Sequence, residues 1–361
     1  MRVIVAGGGT GGHLFPAIAV GDEIMRQRPE AEVLFVGTSA GMEAKWFLSR
    51  SYKYELFDVH GVRGHGLAER AIAIREFALA LWLSGSLLRR FRPNLVIAAG
   101  GYASTPVGAA AIVSRIPLVL LEQNARPGLS NRLLWRFAKK ICVAFPEFAA
   151  GFSPAKVVVT GNPIRFRIEP GRSHSPADPI QILVLGGSSG AHRLNLGVVN
   201  AFRKWENTVI KLRVTHQTGE ADRDAVQTAY DEYGVGAGVS PFIENVAQAM
   251  SCADLIVARS GGNTVSEVAL AGKPAIFVPY PFHRDQQQLH NARVLERAGA
   301  ARIVLDDAQL GDNLLGAIET LVSDRRQLTE MGLAARTVAR PEAAERVAQV
   351  CLAMAEGGGG K

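Results

Sequence analysis

Twice in this chain an apolar, β-branched run breaks into glycines and then into a helical pattern. The two stretches read VIVAGGGTGGHLFP at residues 3–16 and ILVLGGSSGAH at residues 182–192. A strand ending in such a turn presents backbone N–H groups and the positive end of a helix dipole to whatever lies beyond it. The device opens a parallel βαβ layer, so two copies in a 361-residue chain predict two doubly wound α/β domains. The length agrees, because a single core usually stops growing below this size.

Short strand-like runs alternate with helical patterns on both sides. Strands are expected at 3–6, 32–36, 95–99, 118–121 and 141–144, then at 182–185, 212–216, 255–258 and 275–278. Residues 161–179, GNPIRFRIEPGRSHSPADP, lose all apolar periodicity to proline, glycine and serine and read as a linker. The expected organisation is a Rossmann-like domain at 1–160, that linker, a second Rossmann-like domain at 180–338, and a C-terminal helix with a disordered tail at 339–361. Two such parallel-sheet domains facing a central cleft is the economical architecture, with ligands beyond the carboxyl ends of the strands.

Composition narrows the function less. A net charge of +7 and a pI near 9.5 suit nucleic acid, an anionic membrane or a polyanionic substrate alike. Cys142, Cys252 and Cys351 lie far apart with no CxxC spacing, which argues against a disulfide framework or a zinc site and for a reducing compartment. Cys142 and Cys252, in or beside apolar runs, read as core residues. Met1 and Arg2 lead directly into a strand and then glycines, unlike a secretory signal.

Gly7, Gly9 and Gly12 fit the dinucleotide pattern GxGxxG, but the second strand closes as Val36-Gly37-Thr38 without the carboxylate a ribose would need. The turn at 186–191 lacks the middle glycine, and neither turn carries a Walker lysine. Dehydrogenase and ATPase readings both lose ground, which leaves two anion-receiving turns. His13 stands at the edge of the first, and an imidazole suits general-base work near neutral pH. RSGGNTVSE at 259–267 supports two readings: a Thr264–Glu267 capping box, or a phosphate turn with Glu267 on a ribose diol. Three glutamines follow the strand at 275–278, and Gln288 and Asn291 share a helix face whose amides suit sugar hydroxyls. GGYASTP at 100–106 repeats the strand–glycine–helix device, Glu122-Gln123-Asn124 ends the next strand, and Arg165 can reach a diphosphate. Asp222-Arg223-Asp224 matches D-x-D but falls in an expected helical stretch, 219–230, and reads as a solvated pair; nothing requires a metal.

Residues 67–92 carry Leu79, Trp82, Leu83 and Leu87 at helical spacing, flanked by Arg75, Arg89, Arg90 and Arg92. The uncharged run is too short to span a bilayer, and a helix resting on an anionic membrane surface is expected.

In order along residues 3–300, the set GGGTGGHLFP, GGYASTPVG, EQNARPGLSN, TGNPIR, GGSSGA, RSGGNTVSE and QQQLHNA closely resembles the MurG family. These are peptidoglycan N-acetylglucosaminyltransferases of the GT-B class. The resemblance implies inverting transfer of N-acetylglucosamine from UDP-N-acetylglucosamine to the C4 hydroxyl of an undecaprenyl-diphosphate-linked muramyl pentapeptide. It implies a peripheral position on the cytoplasmic face of the cell membrane, no metal cofactor and no nucleic-acid partner. By position, Ile243 would meet the uracil, Glu267 the ribose, and Ser188, Arg165, Gly262, Asn263 and Thr264 the diphosphate. Gln287, Gln288 and Asn124 would hold the sugar, with Thr10, Gly11 and Gly12 lining the cleft opposite. Gly100, Gly101 and Tyr102 would lie on the acceptor side, with His13 as the base. Ser189, Gly262-Asn263 and Thr105 depart from the usual family pattern.

Overall fold

The computed structural model describes residues 1–357 apart from 40, 42–43, 45, 48–50, 59–66, 150–152, 166–167, 169–177, 188–189, 207–209 and 284. The chain divides into two units, Met1–Arg165 with Arg340–Lys361, and Phe166–Ala339.

The first unit runs β1 (Arg2–Ala6), α1 (Gly11–Gln27), β2 (Glu32–Thr38), β3 (Lys53–Phe57), α2 (Leu67–Phe91), β4 (Leu95–Ala98), α3 (Ser104–Val113), β5 (Leu118–Glu122), α4 (Leu129–Leu134), β6 (Lys140–Val143) and β7 (Val157–Val159). All pairings are parallel, in the order β3-β2-β1-β4-β5-β6-β7. Helices cover both faces, so the central strands are buried along nearly their whole length rather than at every second residue. Strand alternation deals the residues to two cores. Val3 and Val5 join Leu14, Ile18 and Phe35 on one face, while Ile4 and Ala6 join Leu87, Val107 and Leu134 on the other. Each fully buried aliphatic side chain there contributes about 1.5–3 kcal/mol of transfer free energy.

The second unit runs β8 (Ile180–Leu185), α5 (His192–Arg203), β9 (Leu212–Gln217), α6 (Arg223–Glu232), β10 (Ala237–Ser240), α7 (Val246–Cys252), β11 (Leu255–Ala258), α8 (Gly262–Ala271), β12 (Ala275–Phe277), α9 (Gln287–Arg297), β13 (Ala301–Ile303), α10 (Leu310–Val322) and α11 (Arg325–Val338). Its parallel sheet has the order β10-β9-β8-β11-β12-β13. The last helix, α12 (Ala343–Gly357), returns to the first unit, where Val347, Cys351 and Leu352 complete the core beside α1.

In both sheets the chain starts at a central strand, works outward one way, then crosses over. The crossover puts a switch point between β1 and β4 in one unit and between β8 and β11 in the other. The nine expected strands are present, and among the described residues the four that the sequence did not announce, β3, β7, β10 and β13, are the four sheet edges. Cys142 and Cys351 are buried, but Cys252 is exposed, because α7 turns Met250 and Ser251 inward and leaves its last residue outside. The expected linker falls mostly outside the described residues, as does the tail beyond residue 357.

Candidate active-site loops of the two units

The first switch point is built around His13. The Gly7 N–H closes β1 against Val36, and the chain then turns into α1 with Thr10 as N-cap. Thr10 makes no side-chain cap bond; its carbonyl instead accepts from the N–H groups of His13 and Leu14 at 3.2 and 3.1 Å. Pro16, inside the helix, has no N–H to offer the Gly12 carbonyl. The His13 ring is half-buried. Its Nδ1 lies 3.1 Å from the Ala99 carbonyl and 3.3 Å from Gln123 Oε1. Gln123 Nε2 donates to the same Ala99 carbonyl at 2.9 Å, which fixes the amide with its oxygen toward the ring. Both neighbours of Nδ1 are therefore acceptors, so Nδ1 is the donor, and in the neutral imidazole the lone pair lies on Nε2.

Gly100 is required beside that ring on two counts. Its φ is +94°, and a Cβ would stand 2.5 Å from His13 Nδ1. Gly101 follows in the same left-handed region, and Tyr102 is exposed beyond it. Ser104 Oγ, at the start of α3, lies 2.7 Å from both the Ala6 and Gly100 carbonyls and ties the ends of β1 and β4 together. At the end of β5 the buried Glu122 accepts from the Asn124 N–H (3.0 Å), Asn124 Nδ2 (3.1 Å), the Gly128 N–H (2.9 Å) and Asn131 Nδ2 (2.9 Å). Burial raises its pKa above the usual carboxylate value, and these four donors oppose the shift. The Asn124 amide, expected on a sugar, here organises this loop. Arg165, expected on a diphosphate, lies over Trp46 at 4.3 Å and near Phe15 at 5.1 Å.

The second switch point gathers four loops. Gln217, at the end of β9, donates from Nε2 to the Gly187 carbonyl at 2.8 Å and accepts at Oε1 from the Ile243 N–H at 3.2 Å. It thus spaces the glycine turn from the segment expected to meet a base. Gly190 must be glycine, since its φ is +76° and a Cβ would strike the Thr218 carbonyl. Ser188 lies outside the described residues. After β11, Gly261 is the N-cap of α8 and has no side chain to cap it with. The Thr264–Glu267 capping box is therefore not formed: α8 starts at Gly262, which puts Thr264 inside the first turn. Gly262, Asn263 and Thr264 instead form that turn. Gln288 links the next loop, accepting at Oε1 from the Tyr280 N–H at 2.9 Å, while its carbonyl accepts from Ser260 Oγ at 2.8 Å. The buried Asn291, one turn on, donates to the Ser260 carbonyl at 3.1 Å. Gln286 takes a left-handed φ of +50°, so α9 begins with Gln287.

Behind the glycine turn runs a buried polar chain that the sequence did not reveal. Asn195 Nδ2 donates to the Thr218 carbonyl and to Asp222, which leaves its Oδ1 facing His216 Nε2 at 3.1 Å. His216 Nδ1 then accepts from the Tyr230 hydroxyl at 2.9 Å. Burial pushes the His216 pKa down to about 3. Asp222 is correspondingly no solvated surface carboxylate. Desolvation opposes its ionisation, but hydrogen bonds from His192 and Asn195 outweigh this and hold its pKa below the ordinary value. Asp224 is exposed and pairs with Arg223.

On the first unit, α2 is a 25-residue helix with one face outward. Ile74 is 71% exposed and Trp82 64%, with Phe77, Leu79, Arg75 and Arg89 also exposed. Leu83 turns the other way and packs with Ala80 and Leu87 on the core, because three to four residues separate positions on one helix face. On α4 and just beyond it, Leu129, Leu133 and Phe137 are exposed, interleaved with Arg132, Arg136 and Lys139. Their four-residue spacing was present in the sequence, masked by the shortness of α4. Among the described residues no helix is long and apolar enough to cross a membrane, and no group of three or more His, Cys, Asp or Glu side chains could hold a metal ion.

Two family models match this arrangement unit by unit: the glycosyltransferase family 28 N-terminal domain at residues 3–143 and the C-terminal domain at 181–347. A relative from Geobacter sulfurreducens is 41% identical over 358 residues, covering 98% of each chain. Its name is UDP-N-acetylglucosamine–N-acetylmuramyl-(pentapeptide) pyrophosphoryl-undecaprenol N-acetylglucosamine transferase. The chain belongs to this MurG family. The crystal structure of Acinetobacter baumannii MurG superposes with a TM-score of 0.80 at 33% identity, covering 98% of this chain and 99% of that one. With it, the two parallel-sheet units are identified as the GT-B fold. A UDP-GlcNAc 2-epimerase from Neisseria meningitidis, solved with UDP-GlcNAc, matches at TM-score 0.67 but only 15% identity, which shows a shared fold and no more. MurG-family membership makes the chain a UDP-N-acetylglucosamine-dependent hexosyltransferase.

Proposed function

We propose that the chain moves N-acetylglucosamine from UDP-N-acetylglucosamine to the C4 hydroxyl of undecaprenyl-diphosphate-linked N-acetylmuramyl pentapeptide, in peptidoglycan synthesis. The observation that carries this is the 41% identity to a transferase of that name across 98% of both chains.

The residue roles extend the proposal. The second unit binds the donor. Backbone at Ile243 meets the uracil, Glu267 the ribose, the first turn of α8 with Ser188 the diphosphate, and Gln287 and Gln288 the sugar. The first unit binds the acceptor, with the Thr10–Gly12 turn offering N–H groups to its diphosphate. The acceptor oxygen bonds to the anomeric carbon as the bond to UDP breaks, inverting an α-linked donor to a β-linked product. The hydroxyl proton passes to His13 Nε2, the ring nitrogen not engaged by the Ala99 carbonyl. Backbone dipoles at the glycine turn and the start of α8 stabilise the departing diphosphate without a resident metal. The apolar, arginine-flanked faces of α2 and α4 support a peripheral position on an anionic cytoplasmic membrane face.

Incubation with sugar-labelled UDP-N-acetylglucosamine and the lipid-linked muramyl peptide tests the reading. Label moves to the lipid. Label that stays on UDP and exchanges at C2 would mark an epimerase and refute it.

A further inference from the structure

Three residues beyond β13, the Asp306 carboxylate is wholly buried between two guanidinium groups. Its Oδ1 accepts from Arg193 Nε at 2.6 Å and its Oδ2 from Arg259 Nη2 at 2.7 Å. Arg193 Nη2 adds a bond to the Asp306 carbonyl at 3.3 Å. Arg259, also buried, donates from Nη1 to the Val278 and Pro279 carbonyls at 3.0 and 3.4 Å. Each guanidinium also covers an aromatic ring, Arg193 over Phe282 at 5.9 Å and Arg259 over Tyr280 at 5.8 Å, and the two rings meet edge to face at 5.4 Å.

Asp306 thereby ties the start of α5 to the turn that opens α8, and Arg259 extends the tie to the segment that leads into α9. Those elements adjoin the proposed donor contacts: the turn of Gly186, Gly187 and Gly190, residues 262–264, and Gln287 with Gln288. A guanidinium fork bonded at both ends holds its angle, which a single hydrogen bond does not ensure. None of the chemistry above uses Asp306.

We propose that Asp306, with Arg193 and Arg259, is a positioning residue that holds the three donor loops in register before the nucleotide sugar arrives. The inference rests on the donor site proposed for the second unit. Loops fixed in advance need no ordering on binding, so the clamp acts on donor affinity and not on the acceptor.

The test compares Asp306→Asn, Arg193→Gln and a surface control, Asp312→Asn, in the full chain. Asparagine keeps the shape but turns an N–H toward a guanidinium. The Kd for UDP and the KM for UDP-N-acetylglucosamine rise about tenfold in Asp306→Asn and about threefold in Arg193→Gln, with the acceptor KM within about twofold throughout. Asp306→Glu, which restores the charge, recovers part of the loss. A merely structural Asp306 would lower the melting temperature and the active fraction while leaving the donor KM of the folded enzyme at the parent value, and that result overturns the proposal. If Asp306→Asn does not fold, the half-exposed Arg193→Gln decides alone, and an unchanged donor KM overturns the proposal. Failure of the unaltered protein to bind UDP would refute the donor site itself, a result visible before any variant is measured.

Discussion

The two units begin alike and diverge within one helical turn. Each releases a glycine turn from its central strand, and each places a histidine at the start of the following helix. His13 turns inward, to a neutral carbonyl at the end of β4. His192 is 67% exposed and turns outward, donating to Asp222 at 2.8 Å and so tethering α5 to the start of α6. The supports differ as well. Behind the first turn stand one carbonyl and one amide, whereas behind the second runs the chain Tyr230–His216–Asn195–Asp222. The same backbone device thus serves two ends: in one unit its histidine is oriented with a lone pair available, and in the other its histidine only fastens.

The largest expected effect separates the two histidines. His13→Ala lowers kcat at least about a hundredfold, the scale of a lost general base, with UDP affinity unchanged. His192→Ala stays within about threefold in steady-state kinetics. Equal losses from the two variants would erase the distinction.

A second effect belongs to the polar chain behind the second turn. His216 has a folded pKa of about 3 against an ordinary 6.5, so the unfolded chain takes up a proton that the native one refuses. Stability is fully present above pH 6.5 and declines as pH falls toward the folded value, by about 2 kcal/mol at pH 5. Native-state hydrogen exchange on β9 at pH 5 and pH 7.5 reads this decline, and His216→Gln flattens it. A slope that survives the substitution assigns the effect to another group.

The smallest effect concerns surfaces. Arg89→Gln on α2 weakens binding to phosphatidylserine vesicles about fivefold, the value of roughly 1 kcal/mol per basic residue at an anionic surface. Arg326→Gln on the second unit leaves binding unchanged. Co-sedimentation that falls equally for both would indicate bulk charge and not an oriented face.

How much of this the sequence carries depends on where each residue sits. Most of the nine central strands announce themselves because they are buried on both faces and read as apolar runs; β9, LRVTHQ, instead shows through its alternation, with Arg213 and Thr215 exposed. KYELF in β3 and AGVS in β10 do not, since edge strands have one neighbour and are partly exposed. The glycine turns and His13 stand out because a left-handed backbone and a close approach leave few choices of residue. The orientation of His13, by contrast, comes from Ala99 and Gln123, distant in sequence, and Asp306 meets Arg193 across more than a hundred residues. No local pattern encodes such pairings. Thr264 and Glu267 mislead for the opposite reason: a capping box is a local rule, and here α8 starts two residues before it.

The return of α12 to the first unit bears on biosynthesis. A ribosome makes the strands of that unit early but releases Val347, Cys351 and Leu352 only after the whole second unit. The second unit, continuous in sequence, can close its core while the first still lacks a wall. Chains cut after residue 339 would expose the flank of α1 and send the older half of the molecule to chaperones, with the younger half already complete.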